Sequence, residues 1–229
     1  MSAAPPLISA KDVAVTFGGT LKALDRVSLD VLSGEIVGLV GESGSGKTTL
    51  CRVLMGLASP SSGTIAVNGE PLDQLLARDS LAFRRRAQML LQDAVASLSP
   101  RMCIRALAEE PLRIHGLPLA EGRARLTTLL KRLGLTEDTL DKFPHEVSGG
   151  QARRVAILRA LMLRPEIVIA DEPTAGLDVS VQGDLLNLLI DLQGEFGLTY
   201  LIVSHNLNVV RRVTGRTVVM YLGQIVEER

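Results

Sequence analysis

The chain has 229 residues, enough for one large domain or for one core carrying inserted subdomains. Hydrophobic residues make up 46%, which supports a substantial core, and 25 Lys plus Arg balance 25 Asp plus Glu. That balance gives no electrostatic reason to expect a nucleic-acid partner, and no stretch approaches the roughly 18 apolar residues of a membrane span.

The first ten residues lack the basic flank and long apolar run of a signal peptide. If the protein works at a membrane, another chain is expected to cross it. Cys51 and Cys103 have neither metal-site nor disulfide spacing and read as buried free thiols, in keeping with a reducing cytoplasm.

In chain order, alternation predicts strands around Val13, Val15 and Phe17, and around Val27, Leu29 and Val31. Ser33-Gly34 is a turn before the apolar run Ile36–Val40, which reads as a buried parallel strand. Lys47–Leu57 is expected to be helical up to the breakers Ser59–Gly63, and Thr64–Val67 with the Asn68-Gly69 turn suggests one more strand of the first sheet. The basic run Arg84–Arg86 reads as a solvated surface turn.

The middle changes character. Ile104–His115, Leu119–Leu133 and Glu137–Phe143 have helical patterns punctuated by Pro and Gly, as an inserted helical subdomain would. Strand and helix then alternate again: strand Ile167–Ala170, helix Val179–Phe196, strand Leu198–Val203, helix Leu207–Val213, and final strands at Val218–Tyr221 and Gln224–Glu227. Such alternation implies an α/β fold with a mostly parallel sheet and right-handed crossovers. There is no internal repeat and no low-complexity segment.

Gly41-Glu42-Ser43-Gly44-Ser45-Gly46-Lys47-Thr48 fits G-x-x-x-x-G-K-[ST] between a predicted strand and a predicted helix, the context this phosphate-binding loop requires. Glycines let backbone N–H groups turn inward on phosphate oxygens, and the helix start adds its positive dipole end. Lys47 is expected to reach the β- and γ-phosphates, and the Thr48 hydroxyl to ligate Mg²⁺. The next residue, Thr49, is grouped with the loop as a nucleotide contact. Downstream, the apolar strand Ile167–Ala170 ends in Asp171-Glu172. Asp171 would hold the Mg²⁺ shell beside the phosphate loop, and Glu172, projecting differently, would polarise an attacking water.

Val147-Ser148-Gly149-Gly150-Gln151-Ala152-Arg153-Arg154 resembles the signature motif, usually written LSGGQ, of the ATP-binding subunits of ABC transporters. Ser148 can cap the helix that follows. The resemblance runs from Leu7 to Arg229. It implies a P-loop NTPase core with an N-terminal antiparallel β-subdomain, within a single ATPase domain over 1–229. Residues 7–92 and 165–229 would form the nucleotide-binding core with the β-subdomain, and 93–164 the helical subdomain.

Within that likeness, Ser148, Gly149, Gly150 and Gln151 would complete the ATP site of a second ATPase subunit. Gln92 matches the glutamine that senses the γ-phosphate and Mg²⁺ at the junction with the helical subdomain. Ala175-Gly176-Leu177-Asp178 resembles the loop that crosses to the partner, and His205 matches the switch histidine that holds the γ-phosphate, Glu172 and water. Phe17 fits the aromatic that stacks on adenine, although a core phenylalanine is the other reading.

Phe143–Gly150, Leu177–Gln182 and Met220–Glu228 look closest to the peptide- and nickel-importer branch. That branch implies two membrane permeases, a solute-binding protein acting indirectly, no nucleic acid, and a place on the cytoplasmic face of the cell membrane. The sequence departs from the usual pattern at Ala94, Ala152, Gly176 and Asn206. Peptide-importer ATPases usually run further than Arg229, so a short variant or a truncated chain is expected. A non-transport ABC ATPase of a soluble assembly and an inactive regulatory partner are the alternatives. The transported solute, and whether the pair is a homodimer or heterodimer, are not written in these residues.

Overall fold

Alternating residues of the first third form a separate antiparallel sheet. Ile8–Phe17 (β1) pairs with Leu21–Val31 (β2), with Ile8 opposite Val31 and Phe17 opposite Leu21. The computed structural model describes residues 5–229, with the backbone alone at positions 179, 180, 208 and 209. Residues 1–4, on which the reading of the first ten residues partly rests, lie outside the described residues.

Ile36–Val40 (β3) leads into the phosphate loop and the helix Lys47–Leu54 (α1), which ends a turn earlier than its sequence pattern suggests. Ser62–Val67 (β4) adds to the other edge of β1, and the short Glu70–Pro71 (β5) closes that sheet in the order β2-β1-β4-β5. Leu72–Arg86 (α2) follows, bent at Asp79, whose carboxylate accepts from the Ala82 N–H at 2.9 Å and caps the second half. The basic run Arg84–Arg86 is therefore not a turn. It closes this helix, where positive charge complements the exposed carbonyls. Arg84 donates to the Met55 and Gly56 carbonyls, and Arg86 holds Glu166 through two hydrogen bonds.

The central sheet, which already holds β3, gains its edge strand in Ala87–Leu90 (β6). Ile104–Ile114 (α3), Leu119–Arg132 (α4) and Gly149–Leu161 (α5) form the inserted helical layer, with short 3₁₀ turns at Glu137–Asp141 and Pro144–Glu146. Only part of the predicted helix Glu137–Phe143 exists, and it is 3₁₀. The chain returns through Ile167–Asp171 (β7), Val179–Phe196 (α6), Thr199–Ser204 (β8), Leu207–Arg211 (α7), Arg216–Tyr221 (β9) and Gln224–Glu228 (β10). The order is β10-β9-β3-β8-β7-β6, parallel throughout except for the β9–β10 hairpin.

Strand alternation divides the core between two faces of this sheet. Ile167, Ile169, Leu201 and Val203 face the apolar layer shared with α1 and the antiparallel sheet. Val168, Ala170, Tyr200 and Ile202 face the layer shared with α6 and the helical insertion. Cys51 is buried as read, and burial pushes its thiol well up; Cys103 is only half-buried. The sheet's C-terminal edge thus carries the phosphate loop, Asp171 and the end of β8 side by side, where open α/β folds bind ligands.

Candidate functional site

The phosphate loop is held from behind by backbone. The Gly223 N–H donates to the Ser45 carbonyl at 3.0 Å, and a Cβ on Gly41 would lie 2.3 Å from the Met220 carbonyl oxygen. Gly46 caps α1 with φ 101°, and a Cβ there would lie 2.5 Å from the Ala23 carbonyl oxygen. Glycine is required at both positions, for close approach at one and for a left-handed backbone as well at the other.

No side chain caps the start of α1, so its first N–H groups and dipole end remain for an anion. Ser43 and Gly44 are exposed at the loop's crest, and Thr49 is half-buried behind it. Lys47 Nζ donates to the Gly41 and Glu42 carbonyls, each at 2.7 Å, and lies 3.4 Å from Ser45 Oγ. Burial lowers the Lys47 ammonium's pKa, while the Glu172 and Asp171 charges oppose the shift.

Asp171 closes β7, and Thr48 Oγ1 donates to its Oδ2 at 3.0 Å. Burial holds this carboxyl above its ordinary range; the Thr48 hydrogen bond opposes that, Glu172 adds to it, and Lys47 opposes it. A hydroxyl paired with a carboxylate is a hard-oxygen donor set that fits Mg²⁺. Among the described residues no group of three or more His, Cys, Asp or Glu could hold a metal. A cation here would therefore take much of its shell from phosphate and water, as Mg²⁺ does in nucleotide sites.

Glu172 lies beyond the strand. Its φ of 51° is in the left-handed region, rare for a residue with a Cβ. Its divergence from Asp171 thus comes from this backbone turn and not from strand alternation alone. The Glu172 N–H donates to the Val203 carbonyl at 2.9 Å, and Glu172 Oε1 accepts from the His205 N–H at 2.9 Å and lies 2.8 Å from His205 Nδ1. Glu172 is thereby fixed between β7 and the end of β8. Strain of this kind typically costs about 1–3 kcal/mol and gathers at functional sites.

Two groups therefore come together at the sheet edge: Lys47 with Thr48 and Asp171, and Glu172 with His205. Among the described residues, no hydrogen bond or ion pair joins them to Phe17, the Gln92 side chain, Ser148–Gln151 or Asp178. Phe17 is 52% exposed at the end of β1, so it is not a core residue. Gln92 is exposed in the loop after β6. Ser148 and Gln151 form a reciprocal cap on α5: the Gln151 N–H donates to Ser148 Oγ at 3.2 Å, and the Ser148 N–H to Gln151 Oε1 at 3.0 Å. A Cβ on Gly149 or Gly150 would meet nothing within 4 Å. Asp178 precedes α6 without side-chain capping, and Gly176 before it has φ 73°, which accounts for glycine at that unusual position. Ala152, also atypical, is fully buried.

Arg153 was missed by sequence reasoning. Its guanidinium reaches the carbonyls of Pro173 (2.6 Å) and Ala175 (2.9 Å) and lies 3.5 Å from that of Gln92. No local pattern announces such a contact between distant segments.

The family model described as ABC transporter matches residues 24–175. The chain belongs to the ABC transporter family. The glutathione import ATP-binding protein GsiA of Escherichia coli O6:H1 is 49% identical over 206 residues, 90% of this chain and 33% of GsiA. A Brucella ovis protein, provisionally named a peptide import ATP-binding protein, is 47% identical over 226 residues, 97% of this chain and 71% of that one. The chain thus spans about a third of the length of its GsiA relatives. Among solved structures, cbiO1 of Clostridium perfringens, part of an ABC transporter complex, superposes with a TM-score of 0.89 at 29% identity over 98% of this chain and 88% of that one. The dimeric structure of the bacterial ABC transporter cassette MJ0796 gives 0.86 at 31% identity over 97% of each. The fold is that of an ABC ATPase cassette: a P-loop core with an antiparallel subdomain and a helical insertion.

Proposed function

We propose that this chain is the ATP-binding and ATP-hydrolysing subunit of an ABC importer, driving uptake of peptides, nickel or a related solute. The observation that carries the reading is the pairing of Thr48 with Asp171 and of Glu172 with His205 at one sheet edge, beside the Lys47 loop. Gly41, Ser43, Gly44, Ser45, Gly46, Lys47, Thr48 and Thr49 would cradle the phosphates of ATP, with Phe17 stacking on adenine. Residues 7–92 and 165–229 would act as the nucleotide-binding core and 93–164 as the helical subdomain.

Thr48, Asp171 and Gln92 would hold Mg²⁺, which neutralises charge developing on the phosphates. Lys47 binds the terminal phosphates. Glu172 accepts a proton from the attacking water, and His205 donates to that carboxylate through Nδ1; as an imidazolium it would also donate through Nε2 to the γ-phosphate. Ser148, Gly149, Gly150, Gln151 and Asp178 would act across the interface on the nucleotide of a second ATPase subunit, the same chain or a related one. A cassette partnership is supported by the dimeric MJ0796 structure.

The importer assignment draws on the names of GsiA and the Brucella relative. No helix among the described residues is long and apolar enough to cross a membrane, so two permease subunits would supply the path and keep this chain peripheral, on the cytoplasmic face. Docking near Gln92 is supported by a groove of about 250 Å³ lined by Leu91, Leu98, Ile114 and His115, with Leu91, Val95 and Ile114 exposed. A solute-binding protein would act indirectly.

The test is copurification. The chain is tagged in its native cell, the membranes are solubilised gently, and its companions are identified. A multispanning permease with a second cassette is expected. Soluble companions alone would contradict import and point to a non-transport assembly.

A further inference from the structure

Arg153 lies three residues after Gly150 on α5, so it belongs to the helical insertion, yet its guanidinium ends among the catalytic loops of the core. Nη1 donates to the Pro173 carbonyl at 2.6 Å, and Nη2 donates to the Ala175 carbonyl at 2.9 Å and lies 3.5 Å from the Gln92 carbonyl. Pro173 follows Glu172 directly, and Ala175 lies two residues further on. That segment is a tight strap in which the Ala175 N–H returns to the Glu172 carbonyl at 3.1 Å and the Leu177 N–H to Thr174 at 3.3 Å. One planar fork therefore holds two carbonyls of the strap and reaches the loop that carries Gln92.

Glu172 sits at the start of this strap in a left-handed conformation that needs outside support. On its β8 side that support comes from Val203 and His205. On its downstream side two strap carbonyls are held by Arg153. The side chain is half-buried; burial lowers the guanidinium's pKa, and the charge of Asp93 next to Gln92 opposes that shift. Bonds from a guanidinium to carbonyls are charge-assisted and directional, and a lysine ammonium cannot reproduce the fork.

We propose that Arg153 is a positioning residue that ties the helix carrying Ser148–Gln151 to the strap after Glu172 and to the loop of Gln92, so that movement of the helical layer sets the aim of the Glu172 carboxylate. This rests on the reading of Glu172 as the group that activates water. Arg153 touches neither nucleotide nor water in this role.

The experiment measures single-turnover hydrolysis of radiolabelled ATP, and ATP affinity, in the assembly that copurifies with the chain, for Arg153→Met, Arg153→Lys, Glu172→Gln and Arg153→Met/Glu172→Gln. Misplacement of a catalytic group by about 1 Å can cost about 10²-fold. Arg153→Met is therefore expected to lower the hydrolysis rate by about 10- to 100-fold with ATP affinity unchanged within about twofold. Arg153→Lys should recover part of the loss. In the Glu172→Gln background, Arg153→Met should add less than about twofold, the non-additivity of two residues acting through one group.

A slow Glu172→Gln beside a fully active Arg153→Met overturns the proposal and leaves the reading of Glu172 standing. A full, multiplicative loss in the double variant overturns it as well, because Arg153 then acts elsewhere. Wild-type hydrolysis in Glu172→Gln removes both. If Arg153→Met does not fold, Arg153→Lys decides alone: full hydrolysis overturns the proposal, and a reduced rate at unchanged ATP affinity supports it.

Discussion

The phosphate loop and the signature segment are both glycine-rich turns that open a helix, and they are built in opposite ways. Around the loop, added atoms at Gly41 or Gly46 would strike the backbone of Met220 or Ala23, and Lys47, Thr48 and Asp171 are already bonded to neighbours. Among the described residues, the side chains of Ser148–Gln151 bond only within their own cap, and a Cβ on Gly149 or Gly150 would meet nothing within 4 Å. The first region is enclosed by its own chain. The second is closed on itself by its cap and presented outward.

Four predictions break or sharpen this contrast. The largest effect is expected for Glu172→Gln, which removes the proposed proton acceptor and keeps the shape. Hydrolysis should fall about 10²–10⁴-fold while ATP stays bound and the closed pair accumulates, as read by turnover and by retained nucleotide. Lys47→Ala should instead weaken ATP binding itself by on the order of 10²-fold in a titration, since charge-assisted hydrogen bonds contribute about 1.5–3 kcal/mol each. Unchanged affinity would contradict the enclosed cradle.

The glycines give the sharpest internal control. Gly41→Ala should destabilise the fold by about 1–3 kcal/mol through overpacking, seen as a lower denaturation midpoint. Gly150→Asp should leave that midpoint nearly unchanged and abolish ATP-driven pairing, measured by sedimentation. Equal midpoints for the two variants would erase the contrast.

The smallest effect concerns Asp171. Burial raises its folded pKa above the unfolded value, so the unfolded chain releases this proton first as pH rises. Its contribution is at its best below the unfolded value and declines as pH climbs to the folded one. Asp171→Asn should therefore give the nucleotide-free protein a slightly higher melting temperature at neutral pH, an advantage that shrinks toward acid pH. A lower melting temperature at neutral pH would contradict the cost assigned to the buried charge.

Contiguous chemistry was legible in the sequence. The phosphate loop, the Asp171-Glu172 pair and the Ser148 cap each depend on neighbours a few residues apart; residue alternation marked β1 and β2, and short apolar runs marked β3 and β7. Long-range arrangements were not. The helix Leu72–Arg86 buries only Leu72, Leu75 and Phe83 and bends at Asp79, so its apolar stripe is too sparse to read. Arg153 reaches carbonyls about twenty positions on, and the hairpin that backs the loop through Gly223 lies at the far end of the chain. Backbone acceptors carry no side-chain signature. Glu172 was singled out for its chemistry, but its left-handed backbone had no sequence mark, because glutamate rarely adopts it.

The most direct test is native mass spectrometry of the Glu172→Gln chain, isolated with its companions in ATP and again in ADP. An outward-facing signature that completes a neighbour's site predicts two cassettes in the ATP sample, two copies of this chain or this chain with a relative, with ATP trapped between them and lost when Gly150→Asp is added. A single cassette that retains ATP with no second one beside it, and is indifferent to Gly150→Asp, would contradict the account.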